Sequence, residues 1–188
     1  MLLLWFFPAF AAPVDRVLFV VGDRIVTQTD TAFETFFDEH DHGPIPRLAD
    51  PATPVADRLR DIAVIRQIAG EVSVFRPTNA DVRARADAFL ATWPRPQDGL
   101  AALAAWGLDE PGFLGFVYSR LVVERCVARS VGLPPVEAAG GPAGGASGGG
   151  AGAGGGAAGT ADWDLRYSTW VDLQRARVDV REPPREDE

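Results

Sequence analysis

The sequence contains no lysine, so all 18 of its basic side chains are arginines. With 26 acidic residues, the formal net charge is −8. Nucleic-acid affinity comes mainly from lysine and arginine side chains that neutralise phosphates, and the acidic balance therefore argues against a nucleic-acid partner. The abundance of alanine, glycine and arginine together indicates a compositional bias rather than a functional demand for arginine.

Cysteine and histidine are also scarce, which excludes several kinds of site. Cys126 is the only cysteine, so it cannot form an internal disulfide or a thiolate metal cluster; its apolar surroundings predict a buried helical thiol. His40 and His42 are the only histidines and lie in the stretch DEHDH, a predicted exposed polar loop. A zinc or nickel site is the alternative there, because both ions accept imidazole and carboxylate ligands. We expect no bound metal or other cofactor.

Glycine is concentrated in one part of the chain. Residues 136–160 are largely glycine and alanine, which cannot build a packed core and behave as a flexible coil. The tract is not a phosphate-binding loop, because it lacks a Lys-Ser/Thr ending and follows prolines rather than a strand. We expect it to be a linker between two parts of the chain.

The first ten residues, MLLLWFFPAF, are apolar but too few to span a bilayer as a helix. They fit the hydrophobic part of a secretory signal, and Ala9-Phe10-Ala11 provides a small-x-small cleavage site. We therefore predict a signal peptide at residues 1–11, cleaved after Ala11, and export to the periplasm. The usual positively charged segment is missing, and a buried N-terminal segment is the alternative.

The next segment predicts a β-hairpin that leads into a helix. Residues 16–21 and 24–27 are rich in β-branched and aromatic side chains, as strands are, and Gly22-Asp23 suits a two-residue type II′ turn. Thr29 is the predicted N-cap of a helix beginning at Asp30, whose negative charge is favourable at that end.

Apolar spacing and prolines predict further helices. One follows Pro54, one is capped by Asn79 and ends before Pro94, a short one covers about residues 100–106, and the longest covers residues 110–131. The longest is apolar on more than one side and should be central or covered. The apolar stripe of the helix after Pro54 consists of Val55, Leu59, Ile62, Ile65, Ile68 and Val72.

The chain beyond the linker carries a second set of structural signals. The spacing of Trp163, Tyr167, Trp170 and Leu173 predicts one face of a helix. The alternating stretch ARVDVRE that follows predicts a half-buried strand. A short ordered segment after a long linker suggests that it returns to the first part of the chain.

The motif APVDRVLFVVGDRIVTQTD, directly after a signal cleavage site, resembles the SurA family of periplasmic chaperones. Members of that family begin their mature chains with Val-Asp-Lys/Arg, a run of valines, a polar turn, a short strand and Ser/Thr-Asp opening a helix. The helical part matches in order and length and only loosely in residues, whereas WVDLQRARVDVRE resembles the family's C-terminal helix and strand. The trigger-factor C-terminal region has a related fold but would not bring a signal peptide.

The resemblance implies a mainly α fold: a multi-helix domain of the SurA N-terminal and trigger-factor C-terminal kind, whose small β-hairpin is joined by a C-terminal strand. It places the chaperone domain at residues 12–135, the linker at 136–160 and a helix and strand that pack back on that domain at 161–188. Family members usually carry one or two parvulin-type prolyl isomerase domains where this chain has its linker. No parvulin motif can be carried over, because only His40 and His42 are available.

The function implied by the resemblance is ATP-independent binding of unfolded outer-membrane or secreted polypeptides, without enzymatic activity and without a stable membrane span. Clients would lie as extended, aromatic-rich segments on an apolar surface. The candidate side chains for that surface are Phe33, Phe36, Phe37, Phe113 and Phe116. Two alternatives remain: a structural or adaptor protein of the envelope with one dedicated partner, and an enzyme, either a residual peptidyl-prolyl isomerase or a metal hydrolase. The sequence does not determine the oligomeric state.

Overall fold

The structure is a computed structural model that describes residues 15–41, 43–45, 48, 50, 52–70, 72–133 and 155–183, with side chains from residue 159 in the last range. Several predictions fall outside these residues. They are the signal peptide at 1–11 with its cleavage after Ala11, the position of His42, and residues 136–154 of the expected linker.

The described residues are mainly helical and carry one small antiparallel sheet, which confirms the predicted fold class. No helix among them is both long enough and apolar enough to cross a membrane. In chain order the elements are β1 (Val17–Val21), β2 (Arg24–Thr27), α1 (Gln28–Asp38), α2 (Val55–Ala69), a 3₁₀ turn (Ser73–Phe75), α3 (Asn79–Leu90), α4 (Pro96–Ala105), α5 (Glu110–Ser130), α6 (Gly155–Arg175) and β3 (Val180–Arg181).

The sheet is built around β1. β1 and β2 form the predicted antiparallel hairpin. Gly22 has a φ of 60° and Asp23 does not have a positive φ, as a type II′ turn requires. β3 pairs antiparallel with the other edge of β1, with Val180 opposite Val21, so the strand order is β2-β1-β3. The C-terminal strand therefore supplies the additional partner that a two-stranded hairpin needs in water.

Only two residues of the predicted terminal strand pair with the sheet. Residues 176–178 form turns after α6, in which the amide of Ala176 donates to the carbonyl of Asp172 (3.1 Å) and that of Arg177 to the carbonyl of Gln174 (2.9 Å). The strand is shorter than its alternating pattern predicts, because the preceding helix continues into hydrogen-bonded turns.

Two helix starts differ from the prediction. α1 is capped by Thr27 rather than Thr29: the Thr27 hydroxyl accepts from the amide of Asp30 (3.3 Å), whose carboxylate accepts from the amide of Thr27 (2.7 Å). α3 repeats this arrangement from Thr78, so Asn79 is its first helical residue and not its cap. Each reciprocal capping box satisfies two backbone amides, which a single side-chain cap does not.

α2 is buried on more sides than its predicted stripe. Ala63 and Val64 are buried beside the stripe, and Arg58 and Asp61 are buried as well. Val72, the expected end of the stripe, lies beyond the helix and is exposed. The helix has β1, α1, α5 and α6 as neighbours, so Arg58 and Asp61 are covered by other elements, whereas Arg66 and Gln67 near its C-terminal end remain exposed.

α6 packs against the rest of the domain. Trp163, Tyr167 and Val171 are buried in the same core cluster as side chains of β1, α2 and α5. The indole Nε1 of Trp163 donates to the carbonyl oxygen of Gly132 (2.9 Å). The helix begins at Gly155, so residues 155–160, which were expected to belong to the linker, are helical.

The buried apolar side chains form two clusters. The first surrounds α2 and includes side chains from the hairpin, the C-terminal half of α5 and α6. The second lies between α1, α3, α4 and the N-terminal half of α5, and it is rich in phenylalanine. Among the described residues, the buried side chains of α6 belong to the first cluster only.

Truncation of Tyr167 tests how much α6 stabilises the fold. Tyr167 is 4% exposed and stacks on Trp163 with a centroid distance of 5.3 Å. Tyr167→Ala should lower the free energy of unfolding by about 3 kcal/mol, as aromatic truncations in cores do. Tyr118→Ala is the matched control: Tyr118 is 37% exposed, and its loss should change the free energy by less than about 1 kcal/mol. Urea unfolding followed by circular dichroism measures both, and equal losses would show that α6 contributes little.

Candidate functional site

All five candidate phenylalanines lie in the second cluster, but only three of them reach its surface. Phe37 and Phe113 are each 1% exposed. They are core side chains, which an external ligand cannot contact in this structure. Phe33, Phe36 and Phe116 are partly exposed, so the surface of interest is formed by these three and their neighbours.

A continuous row of six partly exposed rings, which we call the aromatic strip, crosses α1, α5 and the ends of α3 and α4. Consecutive ring centroids are separated by 4.9 Å (Phe116 to Phe33), 5.8 Å (Phe33 to Trp106), 5.8 Å (Trp106 to Phe36), 6.2 Å (Phe36 to Trp93) and 4.3 Å (Trp93 to His40). These are distances at which aromatic rings attract one another. Trp106 is 36% exposed and is the most open ring of the six.

The two tryptophans of the strip were not among the predicted site residues. Trp93 falls within the helix that the sequence predicts to end before Pro94, but α3 ends at Leu90 and Trp93 lies in the following turn. Trp106 is the residue directly after α4. A bulky aromatic residue at a helix end, followed by glycine as Trp106 is by Gly107, was the available signal.

A cleft opens next to the strip, between α2 and α5, with residues of the β-hairpin at its edge. Its smaller part has a volume of about 340 Å³ and its larger part about 630 Å³. Arg24, Arg66 and Ser119 line both parts. Apolar side chains of the smaller part are Leu59, Ile62 and Phe116. Since Phe116 also belongs to the aromatic strip, the cleft and the strip form one continuous surface.

The cleft contains positive charge that the described residues do not neutralise. Arg24 and Arg66 form no ion pair with any residue that the structure describes. Partial burial and the like charge of Arg66 lower the pKa of Arg24 from its usual value, against the opposing influence of Asp30 and Glu34. A positively charged cleft therefore exists in a chain whose net charge is −8.

A buried ion network joins three helices, and two of its members, Glu34 and Arg120, line the cleft. Arg120 of α5 pairs with Glu34 (2.5 Å) and Asp38 (3.3 Å) of α1, and Arg58 of α2 pairs with Asp38 (2.5 Å). Both guanidinium groups also donate to the carbonyl oxygen of Leu48, at 3.2 and 3.3 Å. Buried charges are tolerated only when they are paired, so this network sets the positions of α1, α2 and α5 relative to one another.

Residues 38–41 of the stretch DEHDH do not form the exposed loop that the sequence predicts. Asp38 belongs to the buried network, and the buried Asp41 pairs with Arg85 (2.7 Å). The ring of His40 packs against Trp93, and its Nδ1 lies 3.4 Å from the hydroxyl of Thr92. Within the described residues, no three His, Cys, Asp or Glu side chains come together as a metal site.

The cysteine is buried in α5, as predicted. Burial raises the pKa of the Cys126 thiol. Since the thiolate is the reactive form, the environment of Cys126 suits a structural side chain rather than a nucleophile.

No protein-family model matches this sequence, and no curated protein sequence matches it at a significant level. The strip and the cleft are therefore the features from which a function can be proposed. Together they offer aromatic contacts, an apolar wall and two arginines without an ion-pair partner among the described residues, on one continuous surface.

The protonation of Asp38 tests the electrostatics of the buried network. Burial and the like charge of Glu34 raise the pKa of Asp38 to about 6, although Arg120 and Arg58 oppose this shift. Because the folded-state pKa lies above the unfolded value, the contribution of Asp38 to stability should decrease as the pH rises from about 4 to about 6. Carboxyl-carbon NMR titration should show Asp38 titrating near the raised pKa.

Glu34→Gln should lower the pKa of Asp38, because it removes the neighbouring negative charge and releases Arg120 to pair with Asp38 alone. Glu110→Gln, at an exposed position at the start of α5, is the matched control and should leave that pKa unchanged. A titration of Asp38 near its ordinary range in the unmodified protein would contradict the assigned network.

Proposed function

We propose that the protein is a chaperone-like binding module that holds unfolded polypeptides in extended form, without ATP and without chemical conversion. The observation that carries this proposal is the aromatic strip, continuous with the cleft at Phe116. Contiguous apolar surface that remains open on a folded domain usually marks an interaction site.

A layer of buried phenylalanine rings supports the aromatic strip. Phe37 stacks on Phe89 with a centroid distance of 5.1 Å and contacts Phe116 edge-on at 4.7 Å. Phe113 lies 5.0 Å from Phe89 in the same layer. Rings fixed in this way lose little freedom when a ligand binds, so the surface is preorganised for contact.

Contacts with aromatic rings suit a protein that binds polypeptides of many different sequences. An aromatic pair contributes roughly 0.5–1.5 kcal/mol beyond the area it buries, and six rings in a row can contact several side chains of an extended segment. Each contact is weak and tolerant of sequence, so a client is retained by their sum and can still dissociate. This behaviour is what a holding chaperone without ATP requires.

The resemblance to the SurA family supports the cellular setting that we propose. Residues 12–135 together with 161–188 would form a SurA-type chaperone domain, and residues 1–11 would direct export to the periplasm. Clients would then be outer-membrane or secreted polypeptides. The linker stands where family members carry parvulin domains, and we therefore propose that the protein has no prolyl isomerase activity.

The range of clients provides the decisive test. The protein should suppress the aggregation of three unrelated unfolded proteins, such as a β-barrel membrane protein, an all-helical protein and an α/β protein, as measured by light scattering without ATP. Suppression of only one would favour the adaptor with a dedicated partner. Suppression of none would show that the chaperone proposal is wrong. Turnover of a proline peptide in a protease-coupled assay would instead establish an isomerase.

Removal of the most exposed ring tests the strip itself. Trp106→Ala should weaken the binding of an aromatic-rich unfolded peptide roughly fivefold to tenfold, since about 1.4 kcal/mol corresponds to a tenfold change. Trp106→Phe should retain most of the affinity. Ile25→Ala is the control, because Ile25 is an exposed apolar side chain outside the strip. Fluorescence anisotropy measures the affinities, and equal weakening by Trp106→Ala and Ile25→Ala would contradict a specific role for the strip.

A further inference from the structure

The cleft beside the aromatic strip is lined by more basic than acidic side chains. The basic ones are Arg24, Arg66, Arg76 and Arg120, and the acidic ones are Asp23 and Glu34. Glu34 is buried and paired with Arg120 at 2.5 Å, so these two charges neutralise each other. Arg24 and Arg66 lack an ion-pair partner among the described residues, and they line both parts of the cleft.

Polar and apolar groups meet where these two arginines lie. Ser119 also lines both parts of the cleft, and its hydroxyl forms no hydrogen bond with a described residue. The adjoining wall is apolar and consists of α2 side chains and Phe116. Free space lies next to the backbone of α5 at Gly115, since a Cβ built there would meet nothing within 4 Å. A matching ligand therefore carries an anionic group next to an apolar one.

The guanidinium group favours a carboxylate as that anion. Its planar array of N–H donors matches two carboxylate oxygens, and such charge-assisted bonds are about twice as strong as neutral ones. The charges of Arg24 and Arg66 also repel each other, and a bound carboxylate reduces this repulsion. Phe116 continues the cleft into the aromatic strip, so a polypeptide lying on the strip can place a carboxylate between Arg24 and Arg66.

We propose that the cleft is a carboxylate-binding subsite that anchors the polypeptide bound to the aromatic strip, with Arg24 and Arg66 as the ligands of the carboxylate. This inference rests on the proposed function. The carboxylate comes either from the C-terminus of the polypeptide, next to an apolar last residue, or from an Asp or Glu side chain flanked by apolar residues. Both sources present the same group to the two arginines.

Four labelled peptides of one aromatic-rich sequence distinguish the sources. The first has a free C-terminal carboxylate and no acidic side chain, and the second is its C-terminal amide. The third and fourth are amides that carry an internal Glu or an internal Gln. At low ionic strength, where screening is weak, the full chain should bind the first peptide roughly tenfold more tightly than the second. If side-chain carboxylates are also accepted, the third should exceed the fourth by a similar factor.

Substitutions in the protein test whether the preference for the carboxylate peptides arises in the cleft. Arg24→Gln and Arg66→Gln should each reduce the preference for the carboxylate towards one, whereas Arg129→Gln should preserve it, because Arg129 is exposed and lies outside the cleft. Gly115→Leu should fill the cleft without backbone strain and reduce the same preference. Trp106→Ala should weaken binding of the acid and the amide alike, and so leave their ratio unchanged. Thermal melting of each variant verifies that it is folded.

The outcomes separate the two proposals. Equal affinity for the acid and amide peptides, and for the Glu and Gln peptides, overturns the carboxylate subsite and leaves the proposed function intact. A preference that persists in both arginine variants also overturns the subsite. Failure of the unmodified protein to bind any of the four peptides overturns the proposed function and the subsite together.

Discussion

The arrangement of the helices depends on two buried arginines that share the carboxylates of one helix. Glu34 and Asp38 lie one turn apart on α1, where Arg120 of α5 and Arg58 of α2 reach them from different sides. Removing one member of such a network leaves a buried charge without a partner, which costs about 3–5 kcal/mol. Any displacement of α1 would have the same effect, so α1 can occupy only a narrow range of positions against α2 and α5.

Ion pairing also connects α2 to the C-terminal part of the chain. Its buried Asp61 accepts a hydrogen bond from Nε of Arg175 (2.8 Å), near the C-terminal end of α6. α6 inserts Trp163 and Tyr167 into the first cluster, and the chain then supplies β3 to the hairpin. The N-terminal hairpin and the C-terminal segment thus complete one core, although a long tract of glycine and alanine separates them in sequence.

Local chemistry was sufficient to predict some of these elements and not others. The hairpin, its turn, the limits of α5 and the terminal helix follow from short patterns, and the structure confirms them. The ion network could not be predicted, because Arg120 is 86 residues from Glu34 and Arg175 is 114 residues from Asp61. No local pattern indicates which distant guanidinium will cover a carboxylate.

Local sequence is also insufficient to predict which side chains of the candidate site are exposed. The sequence pattern does not distinguish the neighbouring phenylalanines of α1, yet Phe37 faces the core, whereas Phe33 and Phe36 remain partly exposed. Which side of α1 is covered depends on α3 and α5, and therefore on tertiary packing. Trp106 joins the same surface from a different helix end, which spacing within α1 cannot reveal.

The buried network also explains why a positive cleft persists beside the strip. Asp30 and Glu34 both attract Arg24, and of these two carboxylates only that of Glu34 lines the cleft. It is already buried against Arg120 at 2.5 Å, and one carboxylate cannot neutralise two guanidinium groups. The pairing that holds α1 in place, and with it the rings of Phe33 and Phe36, therefore leaves Arg24 and Arg66 without an ion-pair partner among the residues that the structure describes. Aromatic surface and positive charge adjoin on this face because Phe116 lines the same cleft as the two arginines.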